Sequence, residues 1–211
     1  MKKRWRSNFI TNHIEQYSSF YIFHTVLLIM GVIFGAIVVN SLSTTQKDDL
    51  FYFINEFFSQ LKSGEVLAPK EIFLHSLSYN SKYIGLMWIL GITMIGLPII
   101  LLLLFLKGMV IGFTIGFFVQ QMGWKGFLLS FVSVLPQNLI IILVFIVVAV
   151  ISVSFALQLI KKLFVKSIYQ PIAPMLVKYC MFFGAAILLL GLAAFVEGYF
   201  TPYLMRSLLS L

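Results

Sequence analysis

Residues 19–39 form an apolar run that contains no Lys, Arg, Asp or Glu. A helix needs about 20 such residues to cross a hydrocarbon core ~30 Å thick, so the run predicts a first transmembrane helix. Further apolar runs at 83–106, 109–122, 127–159 and 179–200 predict four more. Only Lys107 and Gly108 separate the second run from the third, which is short enough to read either as a full span or as a re-entrant half. The fourth is interrupted at Pro136-Gln137-Asn138, where proline removes a backbone donor and bends a helix. The expected fold is all-α: one integral membrane domain over residues 1–211, a polytopic bundle of about five transmembrane helices.

Residues 40–82 are the one long polar interval, and their periodicity predicts amphipathic helices. Leu50, Phe51, Ile54, Phe57, Phe58 and Leu61 recur at three- and four-residue steps, with Asn55, Glu56, Ser59, Gln60 and Lys62 on the other side. Thr45 is placed to cap this helix, Asp48 and Asp49 suit the positive end of its dipole, and Gly64 ends it. Pro69 suits the first turn of a second helix through Ile72, Phe73 and Leu77, leading into the second span.

Composition agrees with the pattern: 61% of the 211 residues are hydrophobic and 10% are charged, against about a quarter charged in soluble domains. The formal charge of +8 is not that of a nucleic-acid binder, which gathers its cations on one soluble face. Here the cations lie between spans and report topology. Five spans place Lys2, Lys3, Arg4, Arg6, Lys107, Lys161, Lys162, Lys166 and Lys178 on one side, with Lys47, Lys62, Lys70, Lys82, Lys125 and Arg206 on the other. Cytoplasmic loops are enriched in Lys and Arg. This predicts a cytoplasmic N-terminus (residues 1–18) and basic loop (160–178), with the 40–82 loop and the C-terminus extracytoplasmic.

Gly108, Gly112 and Gly116, and likewise Gly31 and Gly35, are spaced four apart. They form flat strips that another helix backbone can approach, either within the chain or in a second copy forming a homo-oligomer. Glu197 is the one carboxylate expected inside a span, and near the outer edge it is placed to meet Gln137 or Asn138 in a polar cluster. Just beyond it, Thr201-Pro202 ends the helix. His13, His24 and His75 share no metal-binding spacing. The chain carries no nucleophile elbow and no phosphate-binding loop, so neither a catalytic site nor a cofactor is expected. A broken helix at Pro136 beside a membrane carboxylate leaves a small-solute or ion transporter as the alternative.

Six runs resemble one known family. They include Met30-Gly31-Val32-Ile33-Phe34-Gly35-Ala36, Phe105-Leu106-Lys107-Gly108-Met109-Val110-Ile111-Gly112-Phe113, Gln121-Met122-Gly123-Trp124-Lys125-Gly126-Phe127, Ser133-Val134-Leu135-Pro136-Gln137-Asn138 and Val196-Glu197-Gly198-Tyr199-Phe200-Thr201-Pro202. The chain is similar over nearly its whole length to the stage II sporulation protein M family of spore-forming Firmicutes. The wider family often has Leu-Pro-His-Gly-x-x-Glu where this chain has Leu135-Pro136-Gln137-Asn138-Leu139-Ile140-Ile141, which argues against proton or metal chemistry there. The resemblance implies a non-enzymatic scaffold of the mother-cell septal membrane, needed for engulfment. It would hold two peptidoglycan hydrolases similar to stage II sporulation proteins D and P. Phe51 and Phe58, on the extracytoplasmic stripe, are the candidate contacts for such partners or for membrane lipid.

Overall fold

The computed structural model describes residues 8–63, 68–93, 95–164 and 172–202. Among them are six helices and no strand: α1 (Asn8–Asn40), α2 (Thr44–Ser63), α3 (Pro69–Ile92), α4 (Gly96–Ser133), α5 (Leu135–Phe164) and α6 (Ile172–Phe195), the last continued by a π turn at Val196–Phe200. Four helices are long and apolar enough to cross a membrane, at Tyr17–Asn40, Gly96–Val132, Pro136–Lys162 and Ala173–Phe200. Their outward residues, such as Ile22, Met30, Leu143, Met181 and Leu188, remain more than half exposed. Lipid-facing side chains would be exposed in this way, since hydrocarbon tails are as apolar as they are.

Helix α5 is the hub, packing on α1, α3, α4 and α6. Its Val144, Phe145, Ala149, Val150 and Val153 are buried in the core with Ile84, Met87, Ile100, Leu104 and Leu190. Helices α1 and α4 run parallel with their backbones in contact. A methyl group added at Gly108 would strike the carbonyl of Leu28, one at Gly112 the carbonyl of Val32, and one at Gly116 would come within 3.1 Å of the Cα of Ala36. Gly31 and Gly35 lie equally close to the carbonyls of Phe105 and Met109. The small-residue strips therefore pack on each other within one chain.

The helix boundaries depart from expectation at four places. Helix α3 ends at Ile92 and α4 begins at Gly96, so the break between them does not fall at Lys107-Gly108, which lie inside α4. The short third run is thus the middle of one long helix, kinked at Gly123, whose φ of 56° and ψ of −131° suit a residue without a Cβ. Pro136 does not break a helix, because α5 starts at Leu135, and in a first turn the missing donor costs nothing. Pro69 does start α3, but that helix runs on unbroken to Ile92, so residues 69–82 are its first half and not a separate loop helix. In α2 the cap is Ser43 rather than Thr45: Gln46 N donates to Ser43 Oγ (3.3 Å) and Ser43 N to Gln46 Oε1 (3.0 Å). This reciprocal pair is a capping box.

Candidate functional site: a buried polar chain across three helices

Helix α3 is too polar to count among the four apolar spans, yet it lies lengthwise against α4, α5 and α6. It runs antiparallel to α4, with Asn80 beside Lys107 and Tyr83 Oη donating to the carbonyl of Leu103 (3.3 Å). At its C-terminal end the Tyr179 hydroxyl donates to the carbonyl of Trp88 (2.8 Å), and the Ser152 hydroxyl lies 2.9 Å from the same phenol oxygen. Tyr179 also stacks on Phe155, with ring centroids 4.2 Å apart. At its N-terminal end Gly198 of the π turn sits close to Pro69 and Phe73, where an added methyl would come within 2.8 Å of the Pro69 carbonyl. That close approach brings Glu197 to α3.

Between these ends runs a continuous polar chain. Lys107 Nζ donates to Asn80 Oδ1 (2.9 Å), and Asn80 Nδ2 donates to the carbonyl of Ser76 (3.0 Å) and lies 3.5 Å from its hydroxyl. The Ser76 hydroxyl donates to Glu197 Oε2. Ser76, Asn80 and Lys107 are all buried. The rings of Phe145, Tyr79 and Tyr83 flank the Lys107 ammonium at 4.9, 5.5 and 6.0 Å, a cation–π setting that softens its burial. Glu197 is the carboxylate whose charge acts on it. Gly108 faces Leu28, near the middle of the Tyr17–Asn40 stretch, so Lys107 enters the bundle about midway along its length.

Ion and relay are well matched in chemistry. A buried ammonium unpaired in hydrocarbon is costly, and the side chains of Asn80 and Ser76 connect it to a counter-charge nearer the bundle end. The product is a lock: α4, α3 and the end of α6 each contribute one element, so none can shift without leaving a charge unmatched.

The expected cluster of Glu197 with Gln137 and Asn138 is divided in two. The π turn lies between α3 and α5, so Glu197 turns toward α3 while the Thr201 hydroxyl donates to Gln137 Oε1 on α5 (3.2 Å). Asn138 Nδ2 donates within its own helix, to the carbonyl of Val134 (2.8 Å). Pro136 is exposed and Pro202 half-buried. Phe51 is half-buried on α2, while the side chain of Phe58 lies outside the described residues. No described residue of α2 enters the core, and Tyr52 and Phe53 are exposed.

Lys107, Asn80 and Ser76 escape a reading of the sequence because a lysine between apolar runs reads as a loop. The usable signal is a lone lysine and a lone carboxylate in otherwise apolar stretches, together with Ser76 and Asn80 one helical turn apart on a single face. Two cavities lie elsewhere among the described residues. One of about 340 Å³ follows the α1–α4 seam beside Gly112 and Gly116, and one of about 140 Å³ opens at the Tyr17 end beside Ser154 and Lys178. Among the described residues, no three of His, Cys, Asp and Glu cluster to hold a metal. The chain matches one family model, Stage II sporulation protein M, over residues 24–202. No curated protein and no solved structure matches it.

Proposed function

The chain belongs to the stage II sporulation protein M family, a family of sporulation membrane proteins, and from that premise we propose that it is a non-enzymatic scaffold for septal wall remodelling. It holds two peptidoglycan hydrolases resembling stage II sporulation proteins D and P at the mother-cell septal membrane during engulfment. The hydrolases supply the catalysis. The observation that carries this reading is where the polar chemistry is placed. Lys107 and Glu197, the charged ends of the buried chain, are occupied in locking helices together, while α2 extends an amphipathic surface that the core does not use.

In this reading α3 is the fifth span, crossing antiparallel to α4. Withdrawing Lys107 and Lys82 from the loop count leaves the cations of residues 1–18 and 160–178 still more numerous than those opposite. The N-terminus is therefore cytoplasmic, and α2 and the C-terminus face the wall. The test is co-purification of the two hydrolases with the full-length chain from solubilised sporulating membranes. Recovery of both in near-equal amounts supports a scaffold. Recovery of neither, combined with solute flux through vesicles containing the chain alone, supports a transporter instead.

A further inference from the structure

The outward face of α3 carries an unmatched charge at mid-depth. Glu71, His75, Ser78 and Lys82 recur at four- and three-residue steps and are all exposed, followed on the same face by exposed Leu86 and Ile89. Lys82 is bracketed in depth by the Asn80–Lys107 bond and the Tyr83–Leu103 bond, both near the middle of the bundle. Among the described residues, no hydrogen bond or ion pair engages it. Half a hydrocarbon core is ~15 Å, farther than a lysine stem reaches to the headgroups, so Lys82 facing lipid would carry the penalty of a charge at the bilayer centre.

We propose that this face of α3 is a docking groove for a transmembrane helix of another protein that carries a carboxylate at the depth of Lys82. Charge selects the occupant. A second copy related by a two-fold axis along the membrane normal would bring Lys82 against Lys82 at the same depth. Glu71, three helical turns away along the helix, cannot neutralise it. A partner helix with Asp or Glu there completes an interhelical ion pair, and Ser78 and His75 one and two turns farther out offer further hydrogen bonds. The proposal rests on the membrane-scaffold reading and names the surface through which such a scaffold grips a membrane-anchored partner.

The test uses purified full-length protein in phosphatidylcholine nanodiscs. The probe is a fluorescent 24-residue polyleucine helix with one central Glu, compared with versions bearing Gln or Lys, and energy transfer reports association. The Glu helix should bind about tenfold more tightly than the others. Lys82→Met should abolish that preference, Lys82→Arg should keep it, and Lys82→Glu should transfer it to the Lys-bearing helix. Equal binding of all three probes, or a Glu preference that survives Lys82→Met, would overturn the proposal. Lys82-dependent self-association without probe would overturn it in favour of a second copy. No hydrolase enters the assay, so its failure leaves the sporulation role standing, and loss of hydrolase co-purification would leave this groove standing.

Discussion

Glu197→Gln separates two accounts of the buried chain. Glutamine still accepts a hydrogen bond from Ser76 and removes only the charge, whereas Glu197→Ala removes both. If the chain were merely a set of interhelical hydrogen bonds, each would be worth ~0.6 kcal/mol and at most ~2, and glutamine would be nearly silent. But Lys107 is 7% exposed and reaches Glu197 only through Asn80 and Ser76, so removing the carboxylate leaves the ammonium without a counter-charge in the bilayer interior, which costs about 2.5–3.5 kcal/mol. The charge outweighs the bond. Glu197→Gln should therefore destabilise by about 3 kcal/mol, and Glu197→Ala by about one hydrogen bond more. Lys107→Met, similar in length and uncharged, should restore most of the loss when combined with Glu197→Gln, while sacrificing the bond from Lys107 to Asn80 and the cation–π contacts with Phe145, Tyr79 and Tyr83. The readout is reversible unfolding in mixed detergent micelles as the denaturing detergent fraction rises, followed through all four corners of the double-mutant cycle. Strict additivity, or a silent Glu197→Gln with a destabilising Glu197→Ala, would refute charge matching as the purpose of the chain.

Glycine substitutions should divide by position. Gly112→Ala forces apart α1 and α4 where a methyl meets the Val32 carbonyl and should cost about 1–3 kcal/mol; Gly184→Ala and Gly191→Ala, with no neighbour within 4 Å, should leave thermal stability within ~0.5 kcal/mol. Thr201→Val breaks the bond to Gln137 and should lower stability by about 1 kcal/mol without altering membrane insertion, as followed by carbonate extraction. Phe51→Ser combined with Phe58→Ser should abolish hydrolase recruitment at unchanged protein level; a fall in level would instead mean that the stripe packs on its own bundle.

Long apolar runs make the helical class and the main spans legible, because the bilayer fixes their length and composition. Pro69 and the glycine strips are legible too, each for a local reason: a first-turn proline lacks only an unused donor, and glycines four apart share a helix face. The placement of the turns is not. Lys107 looks like a loop because its partners are remote in sequence, with Asn80 27 positions away and Ser76 itself 121 positions from Glu197. Pro136 looks like a break because α4 and α5 meet with only Val134 between them, a turn too short to interrupt the apolar pattern. Helix α3 divides into loop and span on hydropathy because its first half is polar on both faces. One face is matched by Lys107 and Glu197 and the other left open, a difference that hydropathy does not carry.

The scaffold reading is tested most directly by following fluorescent, catalytically inactive D-like and P-like hydrolases in sporulating cells. In the presence of the chain both should concentrate at the septal membrane. In its absence both should spread around the mother-cell membrane, with septal enrichment restored by the wild-type chain and by Gly184→Ala, but not by the Phe51→Ser, Phe58→Ser double variant. Unchanged septal enrichment of both hydrolases in cells lacking the chain would contradict the account.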